Sequence, residues 1–154
     1  MKHLMTQKGY DQITAKVSKL KKQVDETLDE MQEVRNASLS TEDESELGQF
    51  TQRYQSLNET INELHAVLNN SQIVDISNRS MEKVEFGSIV DLYDVKNDKE
   101  VSFQILGAYE SDPKNGVISY LSPLGKEIIG LQVDDGCEIA LGYDTIEYEV
   151  IGIR

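Results

Sequence analysis

Between Tyr10 and Leu68 the chain repeats one rhythm, and no proline interrupts it. Tyr10, Ile13, Val17, Leu20, Val24, Thr27, Met31 and Val34 follow one another at gaps of three and four, and only Thr27 is polar. After a short break Leu47, Phe50, Tyr54, Leu57, Ile61, Leu64 and Leu68 resume the same spacing. Gaps of this kind place every member on one stripe of an α-helix, so each segment predicts a helix with a single apolar seam. Two such seams can cover each other if the chain folds back near residue 39. Counted outwards from that turn, Met31 faces Leu47, Thr27 faces Phe50 and Val24 faces Tyr54. Leu20 then faces Leu57, Val17 faces Ile61, Ile13 faces Leu64, and Tyr10 faces Leu68. The paired numbers add to a nearly constant value, as an antiparallel hairpin over residues 8–36 and 42–70 requires. At 1.5 Å per residue its arms are about 40 Å long. Their outer faces are too polar to be covered on all sides by a globular core.

The pattern changes after "NNSQIVDISNRS", residues 69–80, which reads as a linker. Beyond it, "VEFGSIVDLYDV", "VSFQILGAY", "GVISYL", "CEIAL" and "TIEYEVIGI" are rich in β-branched and aromatic residues. They are separated by the turn sequences "KNDK", "SDPKNG" and "GYD". "PLGKEIIGL", at 123–131, starts with proline and has a glycine near its end, which predicts one or two helical turns. The fold class expected is α+β: a coiled-coil hairpin over 1–76, then a small antiparallel β-sheet domain with one short helix over 77–154.

Charge narrows the function. The chain carries 28 acids against 15 bases, a net charge of −13, which argues against the broad basic face that duplex nucleic acid requires. The lone Cys137 cannot form an internal disulfide, and with His3 and His65 far apart in sequence it offers no zinc cluster. No charged-then-apolar leader opens the sequence and no apolar run approaches a membrane span, so a soluble protein of the reducing cytoplasm is expected. Along the first helix Lys16, Lys19, Lys21 and Lys22 fall in a stretch without acids, whereas residues 25–46 hold nine acids and only Arg35 as a base. The hairpin is basic near its root and acidic towards its turn.

At that turn "LSTEDESELGQF" packs Glu42, Asp43, Glu44 and Glu46 into five positions. Two readings are open. Thr41 and Glu44 have the spacing of a capping box, and acids in a first turn favour the positive end of the helix dipole. Alternatively the carboxylates serve a cation or a partner, because four mutually repelling charges exceed what a helix start needs.

Taken in order, "MTQKGYDQI", the hairpin, "SQIVDI", "VEFGSIVDLYD", "GVISYLSPLGKEIIGLQVDDG" and "IEYEVIGI" resemble the bacterial transcript-cleavage factors of the Gre family, GreA and GreB type. The resemblance spans nearly the whole chain. Its most specific piece is "ISYLSPLGKEIIG", similar to the family's "IS..SP.A.AL.GK". It implies a coiled-coil finger on an FKBP-like domain that holds the rim of the secondary channel of bacterial RNA polymerase, with Ser122, Pro123 and Leu124 in the docking position. It also implies that the tip acids Asp43, Glu42, Glu44 and Glu46 act inside the polymerase active site, with Asp43 and Glu44 towards a shared Mg²⁺. The protein would then hold no cofactor of its own, act as a monomer, and be an accessory to the polymerase rather than an enzyme. Lys16, Lys19, Lys21 and Lys22 would be free to meet channel walls or the nascent RNA 3′ end.

The resemblance breaks at three places. The family's tip reads "G-D-x-x-E-N-A-E-Y", and ungapped counting from either side puts Ser40 at the Asp, Asp43 at the first Glu, Glu44 at the Asn, Glu46 at the second Glu and Leu47 at the Tyr. Leu121 stands where the family has Asp or Asn, and Leu131 where it has Lys. The missing acid at Ser40 points to the alternative of a non-cleaving Gre homologue that occupies the channel and regulates or inhibits the polymerase. A prolyl isomerase is disfavoured because the second half has no Trp and only Phe86 and Phe103. A plain coiled-coil adaptor would leave the ordered C-terminal motifs without a purpose.

Overall fold

The computed structural model describes residues 1–37 and 41–154, with residues 41–43 described by their backbone only. Two compact units are present. One comprises Met1–Gly9 with Ser71–Arg154, the other Tyr10–Asn70.

The second unit is the antiparallel helical hairpin, formed by α1 (Gln7–Asn36), which begins in the sheet unit, and α2 (Thr41–Asn69). Ile13, Val17, Thr27 and Met31 of α1 and Ile61 and Leu64 of α2 are buried, and the remaining seam residues are half-buried. Val67, outside the expected seam, is buried too. Thr27 is tolerated at 0% exposure because its hydroxyl donates to the Gln23 carbonyl at 2.8 Å, leaving no unpaired polar atom.

Two pairs of cross-helix neighbours fit a register one seam position away from the simple count. Glu30 meets Arg53 at 4.0 Å, and Leu28 and Met31 share a groove with Thr51 and Tyr54. These neighbours match layers of Val34 with Leu47, Met31 with Phe50, Thr27 with Tyr54, Val24 with Leu57, Leu20 with Ile61, Val17 with Leu64 and Ile13 with Leu68. In that alignment every three-residue gap on one helix faces a three-residue gap on the other. Setting Met31 opposite Leu47 instead opposes a gap of four to a gap of three at each step, which staggers the side chains. The seams were legible from sequence.

The first unit is built on a five-stranded sheet. Its strands are β3 (Ile89–Asp94), β4 (Lys99–Leu106), β5 (Val117–Ser119), β6 (Gly136–Leu141) and β7 (Asp144–Ile153), in the order β5-β4-β3-β7-β6. Alternation buries Val90 and Leu92 of β3, which join Val84, Ile105, Ile118, Ile128 and Val150 in the core. Ile128 comes from α3 (Pro123–Ile128), so this short helix is pinned to the sheet by its last residue. The sheet is mixed rather than purely antiparallel, because β5 runs parallel to β4. Residues 107–116 supply the crossover that a parallel neighbour needs, folded into two 3₁₀ turns at Ala108–Glu110 and Pro113–Asn115.

A second, two-stranded parallel sheet pairs β1 (His3–Met5) with β2 (Ser71–Ile73). Residues 1–9 and the segment from Ser71 therefore belong with the sheet unit, and the division falls at 9/10 and 70/71 rather than at 76/77. Three-residue strands carry too little periodicity to be read from sequence. Among the described residues no helix is long and apolar enough to cross a membrane.

Candidate functional site: the hairpin turn and the α3 groove

At the hairpin turn the backbone of α2 starts at Thr41, and Glu44 and Glu46 are exposed in its opening turns. Ser40 lies outside the described residues, as do the side chains of Thr41, Glu42 and Asp43 and therefore the Thr41–Glu44 capping box. Among the described residues no three His, Cys, Asp or Glu side chains gather into a metal site. Lys16, Lys19, Lys21 and Lys22 are all exposed on α1.

The α3 site is locally determined. Ser122 takes an extended conformation (φ −67°, ψ 157°) and caps α3, its Oγ accepting from Gly125 N at 3.0 Å and donating to the Ser119 carbonyl at 2.6 Å. Pro123 occupies the first helical position, where its missing N–H costs nothing. Gly125 is there because nothing larger fits: a Cβ would lie 2.2 Å from the Ser119 carbonyl oxygen. The result presents Pro123 to solvent while Leu124 rests half-buried on the core.

Beside them lies a groove of about 240 Å³ whose walls include Ile118, Pro123, Leu124, Ile139, Leu141 and Tyr148. Leu141 is 53% exposed, and Tyr143 at the β6–β7 turn is fully exposed. Burial pushes the Tyr148 phenol up, with the Asp94 charge adding to the effect. Burial, then the charge of Glu127, does the same to the thiol of Cys137, which pairs with Tyr148 across β6 and β7. Both groups are thus neutral at ordinary pH, and the wall suits an apolar partner surface. Ser122, Pro123 and Leu124 follow one another at the start of α3, and Ile139, Leu141 and Tyr148 join them in the groove walls, neighbours that the sequence does not show because only the folded sheet sets β6 and β7 beside α3. Leu131 faces the core and donates its N–H to the Ile128 carbonyl at 3.1 Å. Leu121 is half-buried.

The family model for the C-terminal part of transcription elongation factor GreA/GreB matches residues 79–154. Transcription elongation factor GreA of Novosphingobium aromaticivorans is 35% identical over 137 residues, covering 89% of this chain and 85% of that protein. GreA of Pelobacter propionicus is 43% identical over 94 residues, 61% of this chain and 60% of its own length. Among solved structures, Gfh1 of Thermus aquaticus aligns over 99% of this chain and 98% of its own, with a TM-score of 0.46 and 25% identity. The chain belongs to the GreA/GreB family of transcription elongation factors.

Proposed function

We propose that this elongation factor docks through its sheet unit on the rim of the secondary channel of bacterial RNA polymerase and stimulates the polymerase's own cleavage of backtracked RNA. The observation that carries this reading is the exposed pair Glu44 and Glu46 in the opening turns of α2, on the hairpin of a Gre-family chain. Glu44 and Glu46 offer carboxylate oxygen, the class of ligand that Mg²⁺ takes, commonly through one or two protein carboxylates and several waters. When bound, a divalent ion supplies Lewis-acid polarisation of the phosphate and a water activated for attack. Asp43, helped by Glu42 or Glu44, would contribute negative oxygens to hold such an ion and orient its water. The factor is then an accessory and the polymerase remains the enzyme. Ser122, Pro123 and Leu124 with the adjoining groove form the docking surface. The lysines at 16, 19, 21 and 22 face channel walls or extruded RNA, and one copy acts as a monomer.

A second reading rests on Ser40. A hydroxyl in place of the family's Asp can cap a helix but brings the cation no charge, which favours a factor that occupies the channel without efficient cleavage. One experiment separates the two: cleavage of a backtracked complex against Mg²⁺ concentration for the natural protein, Ser40→Asp and Asp43→Ala. Cleavage by the natural protein, faster and less Mg²⁺-demanding in Ser40→Asp and lost in Asp43→Ala, supports the first reading. Equal inactivity of all three despite equal polymerase binding establishes the second.

A further inference from the structure

The tip of the β6–β7 hairpin holds a bare aromatic ring on a fixed turn. Leu141 pairs with Asp144, which leaves Gly142 and Tyr143 as a two-residue loop. Gly142 has a φ of 63°, the left-handed start that a tight hairpin favours because it matches the twist of the strands. Lys96, in the neighbouring β3–β4 turn, donates to both carboxylate oxygens of Asp144 at 2.7 Å, and Asp144 Oδ1 also accepts from Thr145 N at 3.0 Å. In the same turn Val95 N donates to the Glu147 carbonyl at 3.1 Å. The tip is tied down, yet Tyr143 beside these ties is fully exposed.

A ring left in water adds nothing to the fold, because none of its apolar area is removed from solvent. Tyrosine is also among the residue types that dominate interface energies, since it buries a large rigid body at low conformational cost. Tyr143 lies two residues past Leu141, itself exposed and a wall of the groove that includes Pro123 and Leu124. Apolar surface thus continues from α3 along the end of β6 to the turn.

The opposite face of this hairpin is acidic. Strand alternation puts Glu138 of β6 and Glu147 and Glu149 of β7 on the side away from Ile139 and Leu141. All three are exposed, and among the described residues none forms an ion pair. Glu138 stands directly across from Glu147, and like charges so placed weaken a sheet. Charge on an edge strand discourages stray pairing, but only β6 is an edge; β7 lies between β3 and β6. A basic partner removes the repulsion.

We infer that the β6–β7 hairpin is a second docking arm with Tyr143 as its anchor. Its occupant is the polymerase rim, through an apolar ridge edged by lysine or arginine. The ridge fills the α3 groove and continues against Leu141 and Tyr143, while its basic edge meets Glu138, Glu147 and Glu149. This inference rests on the docking reading above, and the test separates the two.

Affinity for the polymerase is measured across a salt series for the natural protein, Tyr143→Ala, Tyr143→Phe, Pro123→Ala and the double variant Glu138→Gln with Glu147→Gln. Tyr143→Ala should bind about tenfold more weakly with an unchanged thermal transition, whereas Tyr143→Phe, which keeps the ring, should bind as the natural protein does. The double variant should bind more weakly and with a shallower salt dependence, although relief of like-charge repulsion raises its own thermal transition. Natural affinity in Tyr143→Ala beside weakened binding by Pro123→Ala overturns the anchor and leaves the docking reading standing. Unchanged affinity and salt dependence in the double variant overturn the basic edge. If the natural protein does not bind the polymerase, the docking reading and this inference fall together.

Discussion

Two pairs of cysteines discriminate the hairpin register. In a Cys137→Ser background, the alignment of equal gaps puts the thiols of Met31→Cys and Phe50→Cys in one layer of the seam. Met31→Cys with Leu47→Cys separates them by three residues along the axis, about 4.5 Å at 1.5 Å per residue. The Cα separations that a disulfide accepts span only about 4.4–6.8 Å, so an added axial offset of that size takes the second pair out of reach. Oxidation at low protein concentration, read as a mobility shift on a non-reducing gel, should close the first pair within one chain and leave the second open. The closed loop of about 20 residues stabilises the hairpin by about 3 kcal/mol on the chain-entropy model, visible as a thermal transition that rises on oxidation and falls on reduction. Faster closure of the Met31 and Leu47 pair, with the larger rise in transition temperature, refutes the alignment of equal gaps and restores the simple count.

Gly125→Ala forces a Cβ to 2.2 Å from the Ser119 carbonyl oxygen and should cost about 1–3 kcal/mol, with weakened polymerase binding measurable at a temperature where the variant is still folded. Asp91 is held below the usual carboxylate range, first by the Arg154 guanidinium at 2.9 Å and then by the Ser102 hydroxyl. Its folded pKa is thus depressed, so its contribution, about 1 kcal/mol or less for a pair this exposed, is full above the unfolded value near 3.9 and fades as pH falls through the folded one. Denaturant titrations should show Asp91→Asn less stable by a constant margin above about pH 5, with the margin closing in acid; a margin that grows in acid contradicts the pairing.

Much of this protein is written in local pattern. Seven-residue periodicity without proline specifies two helices with one sticky stripe each, because the stripe follows from 3.6 residues per turn whatever lies beyond it. The β-rich runs and their turn chemistry likewise locate β3, β4, β5, β6 and β7, and Ser122-Pro123 announces the start of α3 in its own residue types. Even the acidic turn is visible as a charge density no helix start requires. Tertiary structure decided what depends on which surfaces meet. The parallel seat of β5 is settled by the room its crossover takes. The pairing of β1 with β2 joins residues almost seventy positions apart in strands too short to show a period. The same holds for the groove walls from β6 and β7 and for the grip of Glu110 on Thr6, where each residue is unremarkable in its own segment. Glu110 in its loop and Thr6 at the start of α1 become partners only when the fold brings them within a hydrogen bond of each other, Thr6 N donating to Glu110 Oε2 at 3.1 Å.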